Sequence, residues 1–451
     1  MPASIEQERL CELQHAVPDL PFFNALYALR LTPAVQAACL ERSINEIVRR
    51  HEILRTTFAA VEGRYMQVIA PQLTVSLPFD DLRALPRLEK DTTELDLIQS
   101  EMLHCFELTQ GPLIRARLLR LAEQEYLLLI CMHQAICDGW SLGVLAEELI
   151  SLYDAFSGEQ ESALAPLAIQ FADFAHWQRQ WQSHREIVAQ LEYWRDQLSD
   201  PLPAMQLAKS APRRTIDDLR TVRRAWTLPA SLVEAARRFS HEEGGTLFMV
   251  LVAALKTLLH RYLGQDDVRV ATNVANRNRV GTKTLIGPLV NTVVLRTNLG
   301  GDPGPREVMR RVRATTLAAF AHQDLPFQEL AQMLERERRL KPRSLANIFI
   351  LLQNDTLRPS LRFGHRVSLV EANPNMVLPL VTMTPFDVTL ILKEGPDGLV
   401  GTCVYKPFLF RARTIDRLLR DFEDVLERMI THPERPISEM RVSLNELSNC
   451  K

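Results

Sequence analysis

The amino-acid sequence predicts a mixed α/β (α+β) fold in two lobes. Its 451 residues are more than one hydrophobic core usually holds. Strand-like and helix-like patterns are mixed throughout, and the two halves have a similar alternating make-up. We expect an N-terminal lobe over residues 1–180 and a C-terminal lobe over 181–451, and the proline-rich stretch at 200–214 is the best linker candidate.

The order of elements follows from local patterns. In the first half, Thr32 as N-cap and Pro33 at the first helical position predict a helix that runs to about Arg50. The elements predicted after it are a strand-rich and loop-rich stretch at 64–80, helices from Trp140 to about Phe156 and within 166–198, a strand at 221–228, helices at 231–241 and 247–263, a strand at 268–274, a hairpin at 388–405 and a helix at 414–432.

Composition excludes several classes of protein. Hydrophobic residues make up 46% and charged residues 24%, and the formal net charge is -2, so we expect neither a nucleic-acid footprint nor an attraction to membranes. The longest apolar stretch, 247–255, is too short to cross a bilayer, and the first residues lack a basic-then-apolar leader. Seven cysteines without clustered pairs suit the reducing cytoplasm, where we expect the protein to be a monomer.

One segment carries most of the functional information. Residues 132–141 read Met-His-Gln-Ala-Ile-Cys-Asp-Gly-Trp-Ser and follow the apolar run 126–132, which is typical of a buried strand. A helical pattern opens at Trp140, so the polar residues lie at a strand-to-helix corner. A zinc site formed by Cys131, His133 and Cys137 would need more ligands at closer spacing, and we predict no metal.

This segment resembles the His-His-(three residues)-Asp-Gly signature of condensation-domain acyltransferases. Asp138 and Gly139 set the register, so His133 matches the first histidine and Gln134 stands at the second, catalytic position. Other stretches are similar to further motifs of nonribosomal peptide synthetase condensation domains, and they occur in the family's order: 4–10, 50–58, 171–178, 286–296, 322–327 and 347–353.

The resemblance implies a fold of two chloramphenicol-acetyltransferase-like lobes in a V, with a central tunnel and a floor loop around 280–295. It also implies a reaction in which an acyl thioester on a donor carrier protein is joined to an amine, or less often a hydroxyl. Donor and acceptor carrier proteins are the expected partners, each presenting a phosphopantetheine arm, although a free small-molecule acceptor is an alternative. No cofactor is expected to bind directly.

Two positions are predicted to act on the reacting atoms. The backbone N–H of Gly139, at a helix start, is the candidate donor to the oxyanion. Gln134 has no useful proton affinity but can accept a hydrogen bond and orient an amine. Loss of a general base costs a hydroxyl nucleophile more than an amine, so the sequence predicts an amide product over an ester.

The remaining candidates are assigned supporting roles. The resemblance implies that His133 holds the loop and that Asp138 pairs with an arginine. A buried carboxylate also needs a cation nearby, for which Arg277 is the first candidate and Arg55 the second. Four more residues are candidates for the tunnel or substrate contacts, with structural packing or backbone hydrogen bonding as the alternative: Trp140, Ser141, Asn291 and Thr292.

Gln134 leaves other interpretations open. The site is either natural or engineered from histidine, and either active or retired. A non-catalytic platform that recruits a tailoring enzyme or a carrier protein is the main alternative, because one group in the superfamily lacks the second histidine. A plant-type acyl-CoA transferase fits less well because its Asp-Phe-Gly-Trp motif is absent. Epimerisation and heterocyclisation relatives also fit less well.

Overall fold

The elements of the chain were determined from a computed structural model. It describes residues 1–18, 20–21, 23–32, 35–162, 164–181, 185–198, 202, 205, 207, 221–338, 345–353, 368–371, 386–395, 398–440 and 442. The strands are β1 (Asn24–Thr32), β2 (Thr56–Val61), β3 (Arg64–Ile69), β4 (Phe79–Asp81), β5 (Ile114–Ala122), β6 (Glu125–His133), β7 (Val222–Pro229), β8 (Asp267–Val274), β9 (Asn291–Asn298), β10 (Ile348–Gln353), β11 (Ser368–Glu371), β12 (Val388–Gly395) and β13 (Gly398–Tyr405). The α-helices are α1 (Ile5–Ala16), α2 (Ala37–Arg50), α3 (Arg87–Met102), α4 (Gly139–Ser157), α5 (Phe171–Trp181), α6 (Arg185–Gln197), α7 (Ala230–Glu242), α8 (Leu247–Leu263), α9 (Pro305–Ala321), α10 (Phe327–Arg338) and α11 (Ala412–Thr431).

The chain divides into two compact units. The first unit holds the described residues of Met1–His184, Ala275–Val290 and Asp355–Leu378, and the second holds those of Arg185–Val274, Asn291–Asn354 and Pro379–Lys451. This division differs from two contiguous halves, because the stretch expected as a floor loop is shared. Residues 280–290 belong to the first unit, and 291–295 belong to β9 in the second.

The first unit is built on a five-stranded sheet. Its strand order is β11-β1-β6-β5-β4, and β2 and β3 form a separate antiparallel pair. Strand β6 lies in the middle, antiparallel to β1 and β5, and every residue from Tyr126 to His133 is buried. The unbroken apolar run of β6 therefore reflects burial on both faces of the sheet.

The second unit is built on a six-stranded sheet in the order β7-β13-β12-β10-β8-β9. Helix α8 begins after Thr246, whose hydroxyl accepts from the Met249 N–H, and it ends at Gly264, which has a left-handed φ of 62°. Both ends are as expected from the sequence. No single helix in the described part of the chain is long and apolar enough to span a bilayer. Helices α7 and α8 reach that length and apolar composition only together, and the pair is bent by 102°.

One helix start predicted from the sequence is wrong. Thr32 is the last residue of β1, and α2 begins at Ala37. Pro33 lies outside the described residues. The Thr-Pro signal was overridden because the preceding residues pair with β6 and β11 as far as Leu31 and Thr32. The helical stretch expected within 166–198 is present as two helices, α5 and α6, and most of the 200–214 linker candidate lies outside the described residues.

Candidate active site

The candidate site lies at the corner between β6 and α4 in the first unit. Strand β6 ends at His133, which is paired with Asn24 of β1, and α4 begins at Gly139. The Gln134 N–H continues the pairing by donating to the Phe23 carbonyl at 2.7 Å, and the Ile136 N–H then donates to the His133 carbonyl at 2.9 Å. The corner is therefore held by backbone hydrogen bonds at the point where the strand becomes a turn.

Gln134 and Gly139 are both accessible to solvent at this corner. The Gln134 side chain is half-buried and has no hydrogen-bond partner among the described residues. Gly139 is exposed, its N–H likewise has no described partner, and no atom lies within 4 Å of where a Cβ would be. An N–H at the first position of a helix is left unsatisfied by the helix itself, so it is free to donate to a ligand.

His133 is enclosed on the other side of the turn. Its side chain is 1% exposed, its Nδ1 accepts from the Ala135 N–H at 3.1 Å, and its ring has edge contacts with Phe23 and Phe106. Burial lowers the pKa of His133 to about 3. The ring is therefore neutral near pH 7, with its proton on Nε2, which has no hydrogen-bond partner among the described atoms.

Asp138 is the N-cap of α4 and the centre of a hydrogen-bond network. Its Oδ1 accepts from the Ser141 N–H at 3.0 Å and from the Ser141 hydroxyl at 2.8 Å. Its Oδ2 accepts from the N–H groups of Leu289 and Val290 at 3.1 and 3.2 Å. All of these donors are protein groups, so the Asp138 carboxylate accepts hydrogen bonds that hold the surrounding backbone in place.

Arg277 completes the network. Its two terminal nitrogens donate to Asp138 Oδ2 at 2.8 Å and Oδ1 at 3.0 Å, and the side chains of Arg277 and Asp138 are only 2% and 8% exposed. The guanidinium also donates to the Gly287 carbonyl at 3.2 Å. Arg55, the second candidate partner, instead donates to the Ala70 carbonyl and to Glu52.

The segment Ala275–Val290 is fixed to this corner by further contacts. The Ser141 hydroxyl accepts from the Gly287 N–H at 3.1 Å, and the Trp140 indole N–H donates to the Lys283 carbonyl at 3.0 Å. Trp140 remains 38% exposed, with the Arg277 guanidinium 5.5 Å from its ring centre. Trp140 and Ser141 thus bind protein groups at the helix start, and only Trp140 presents surface to solvent.

Asn291 and Thr292 belong to the second unit, and their side chains form hydrogen bonds within it. The Asn291 amide donates to the carbonyls of Gln323 and Leu325, both at 2.7 Å, and its oxygen accepts from the Phe327 N–H at 3.0 Å. The Thr292 hydroxyl donates to Asn273 at 2.9 Å. The Asn291 side chain thus joins the start of β9 to the backbone of residues 323–327.

Two supporting residues of the corner were not identified from the sequence. Gln7 of α1 is fully buried and donates from Nε2 to the Ala135 carbonyl at 3.0 Å. Tyr27 of β1 donates from its hydroxyl to the Asp138 carbonyl at 3.1 Å. Gln7 lies within the stretch 4–10 that resembles a family motif, so the sequence held a signal for it. No such signal marked Tyr27, because only the register of β1 on β6 brings it to the turn.

The thiols near the corner are not arranged for metal binding. Burial raises the pKa of Cys131 to about 12. The pKa of Cys137 is also raised, mainly by burial and secondly by the charge of Asp138. Both therefore remain thiols near neutral pH. Within the described ranges there is no group of three or more His, Cys, Asp or Glu side chains placed to hold a metal ion.

Comparison with known families agrees with this arrangement. Residues 1–447 match the family described as Condensation domain, and the chain belongs to that family. Members of this family in nonribosomal peptide synthetases are acyltransferase domains. The chain is 39% identical to a component of the linear gramicidin synthase of Brevibacillus parabrevis over 440 residues, which is 98% of this chain but 8% of that protein. It is 34% identical to phosphinothricin tripeptide synthetase PhsC of Streptomyces viridochromogenes over 426 residues, 93% of this chain and 38% of that protein.

Solved structures of the family share the fold. The X-domain from teicoplanin biosynthesis is similar with a TM-score of 0.82 and 25% identity, covering 98% of this chain and 97% of that one. The first condensation domain of the CDA synthetase is similar with a TM-score of 0.81 and 18% identity, covering 98% of each chain. The expected chloramphenicol-acetyltransferase-like fold class is therefore confirmed.

Proposed function

We propose that this chain is a condensation domain that joins a carrier-bound acyl thioester to an amine, in a nonribosomal peptide or hybrid polyketide pathway. The observation that carries the proposal is the corner itself. Gln134, whose amide has no described partner, and the exposed Gly139 N–H are held on a rigid scaffold by the buried network of Asp138 and Arg277.

The chemistry assigns each group a separate task. The amine nitrogen bonds to the thioester carbonyl carbon, and the carbonyl electron pair moves onto oxygen. The C–S bond then breaks, and the departing thiolate takes up the proton released by the amine. The Gly139 N–H is the donor for the oxyanion, and the Gln134 carbonyl accepts a hydrogen bond from the amine and orients it.

The absence of a base at position 134 sets the preferred acceptor. Loss of a general base typically costs about 10²–10⁴ in rate. A free amine is already nucleophilic and is affected least, whereas a hydroxyl must lose its proton to react. We therefore assign amide formation to this site, and most of the rate to orientation of the two substrates.

The partners follow from the family. Relatives of this chain are parts of peptide synthetases, and the chain matches only a small share of the gramicidin synthase component. We propose that donor and acceptor carrier proteins present their substrates on phosphopantetheine arms, and that the protein itself holds no cofactor.

The test is an intact-mass assay of product on the acceptor carrier. A donor carrier loaded with an acyl thioester is mixed with a panel of aminoacyl carriers and free amines, in the presence of this protein, Gln134→His or Gln134→Leu. We expect amide product with this protein, more with Gln134→His, and least with Gln134→Leu, which keeps the side-chain size but removes the acceptor oxygen. No product from any form overturns the enzyme proposal.

A non-catalytic platform is the second candidate, and one observation favours it. The X-domain of teicoplanin biosynthesis, solved in complex with OxyB, is similar to this chain with a TM-score of 0.80 and 25% identity. Under this candidate, a tailoring oxygenase of the OxyB kind binds this chain with one-to-one stoichiometry in analytical ultracentrifugation. Binding together with no product from either Gln134 form favours the platform, and product from this protein excludes it as the sole function.

A further inference from the structure

We propose that Tyr27 is a positioning residue for the reaction, acting through the peptide that joins Asp138 to Gly139. This inference rests on the proposed function and adds a residue that no motif contains. Asp138 C=O and Gly139 N–H belong to the same planar peptide unit and point in opposite directions. Whatever fixes the carbonyl therefore also fixes the direction of the N–H proposed to bind the oxyanion.

The carbonyl of Asp138 is held from two sides. The Tyr27 hydroxyl donates to it at 3.1 Å, and the Ser141 N–H donates to it at 3.1 Å as part of the helix start. Tyr27 lies opposite Ile130 in the register of β1 on β6, so its backbone is held by pairing with the central strand of the sheet. The phenol thus ties the first peptide of α4 to the sheet rather than to the helix alone.

A hydrogen bond to the carbonyl also strengthens the N–H as a donor. Donation to the oxygen of an amide polarises the whole unit, and bonds in such chains reinforce one another. Burial, together with the nearby Cys137 and Asp138, raises the pKa of the Tyr27 phenol well above its ordinary value. The hydroxyl therefore remains a donor over the whole pH range in which a condensation reaction is assayed.

The effect belongs to the transition state. The oxyanion exists only after the amine has attacked, so a poorly oriented Gly139 N–H lowers kcat and leaves KM unchanged. Removal of an oxyanion donor itself costs about 10²–10³ in kcat. The N–H remains when only Tyr27 is altered, so the expected loss is smaller, about 5–20-fold.

The experiment uses Tyr27→Phe, with Tyr126→Phe as the matched control. Tyr126 lies on β6 of the same sheet, buried, with its ring against Arg120. Kinetics are measured in whichever of the parent and Gln134→His forms is more active. We expect Tyr27→Phe to lower kcat by about 5–20-fold at constant KM, and Tyr126→Phe to leave both constants unchanged.

A second measurement does not depend on activity. Protein labelled with ¹⁵N only at glycine gives signals from its 17 glycines, and the signal lost in Gly139→Ala identifies Gly139. We expect Tyr27→Phe to move the Gly139 amide proton signal upfield, as weaker polarisation requires, and Tyr126→Phe to leave it in place.

The outcomes separate the two proposals. An unmoved Gly139 signal overturns the role of Tyr27, and so does a moved signal with unchanged kcat. Absence of product from both the parent and Gln134→His overturns the proposed function, whatever the signal does. A moved signal with a selective fall in kcat supports both.

Discussion

Asp138 and Arg277 form a buried bidentate ion pair although 139 positions separate them in the sequence. The pair joins the N-cap of α4 to the segment Ala275–Val290, with nitrogen–oxygen distances of 2.8 and 3.0 Å. A buried ion pair contributes little net stability, because the cost of desolvating both charges offsets their attraction. Removal of one partner is strongly destabilising, because the other charge stays buried without a counter-ion.

Arg277→Met should therefore be strongly destabilising. It leaves the Asp138 carboxylate buried without its cation, and we expect a loss of about 3–5 kcal/mol in the free energy of unfolding. Urea unfolding followed by tryptophan fluorescence measures this loss. The control is Arg224→Met, which breaks an exposed pair with Asp416 and should cost at most about 1 kcal/mol. Equal losses in the two variants would contradict the structural role of Arg277.

Gly287→Ala should also destabilise the first unit. Gly287 has a φ of 149°, and a Cβ there would overlap the ring of Phe171. We expect a cost of about 2–4 kcal/mol from overpacking and backbone strain. Gly63→Ala, at a φ of 77° with open space around it, should show only the backbone cost of about 1–2 kcal/mol. In a Phe171→Leu background, Gly287→Ala should lower the free energy of unfolding by less than it does in the parent protein. An equal loss in both backgrounds would argue against the steric cause.

His133 should make the protein sensitive to acid. Burial lowers its pKa to about 3, whereas the pKa of a histidine in the unfolded chain is about 6.5. Below pH 6.5 the unfolded chain binds a proton that the folded one does not, so stability falls as the pH drops from about 6.5 towards 3, by up to about 1.4 kcal/mol per pH unit. His133→Asn keeps a hydrogen-bond acceptor and removes the titration, so its stability should fall less steeply over this range. Identical slopes for the two proteins would exclude His133 as the cause.

The pH dependence of catalysis should follow the acceptor amine. Gln134 takes up no proton, so the rate should track the fraction of unprotonated amine and rise through the acceptor's own pKa. In a series of amines of decreasing pKa, the pH at half-maximal rate should shift down by the same amount. Gln134→His should add a second dependence near the imidazole pKa. A rate that ignores acceptor pKa in this protein would mean that another group serves as the base.

How far the sequence predicted the site depends on whether a residue lies in a local pattern. The corner between β6 and α4 was predictable because an apolar strand, an N-cap aspartate and a helical pattern occur within a few residues of one another. Arg277 was named because the family resemblance implied an arginine partner for Asp138 and a buried carboxylate needs a cation nearby. Tyr27 was not predictable, since no local rule specifies which β1 residue faces the turn.

The error at Thr32 has the same origin. Thr-Pro is a valid helix start when the chain is considered locally, but β1 continues to pair with β6 as far as Leu31 and with β11 as far as Thr32. Tertiary pairing outweighs a capping preference of about 1 kcal/mol. The division of residues 280–295 between the two units could not be predicted from the sequence either. Neither hydropathy nor turn residues mark the boundary between Val290 and Asn291.

The segment Ala275–Val290 belongs to the first unit although it lies far along the chain, and this limits how such domains can be recombined. A chimaera made by a single crossover between α5 and α6 would combine the Asp138 and Ser141 of one parent with their partners from the other, namely Arg277, Gly287 and Leu289. The exchanged module is therefore discontinuous, and a graft that keeps the cap of α4 intact has to transfer residues 275–290 along with the N-terminal part.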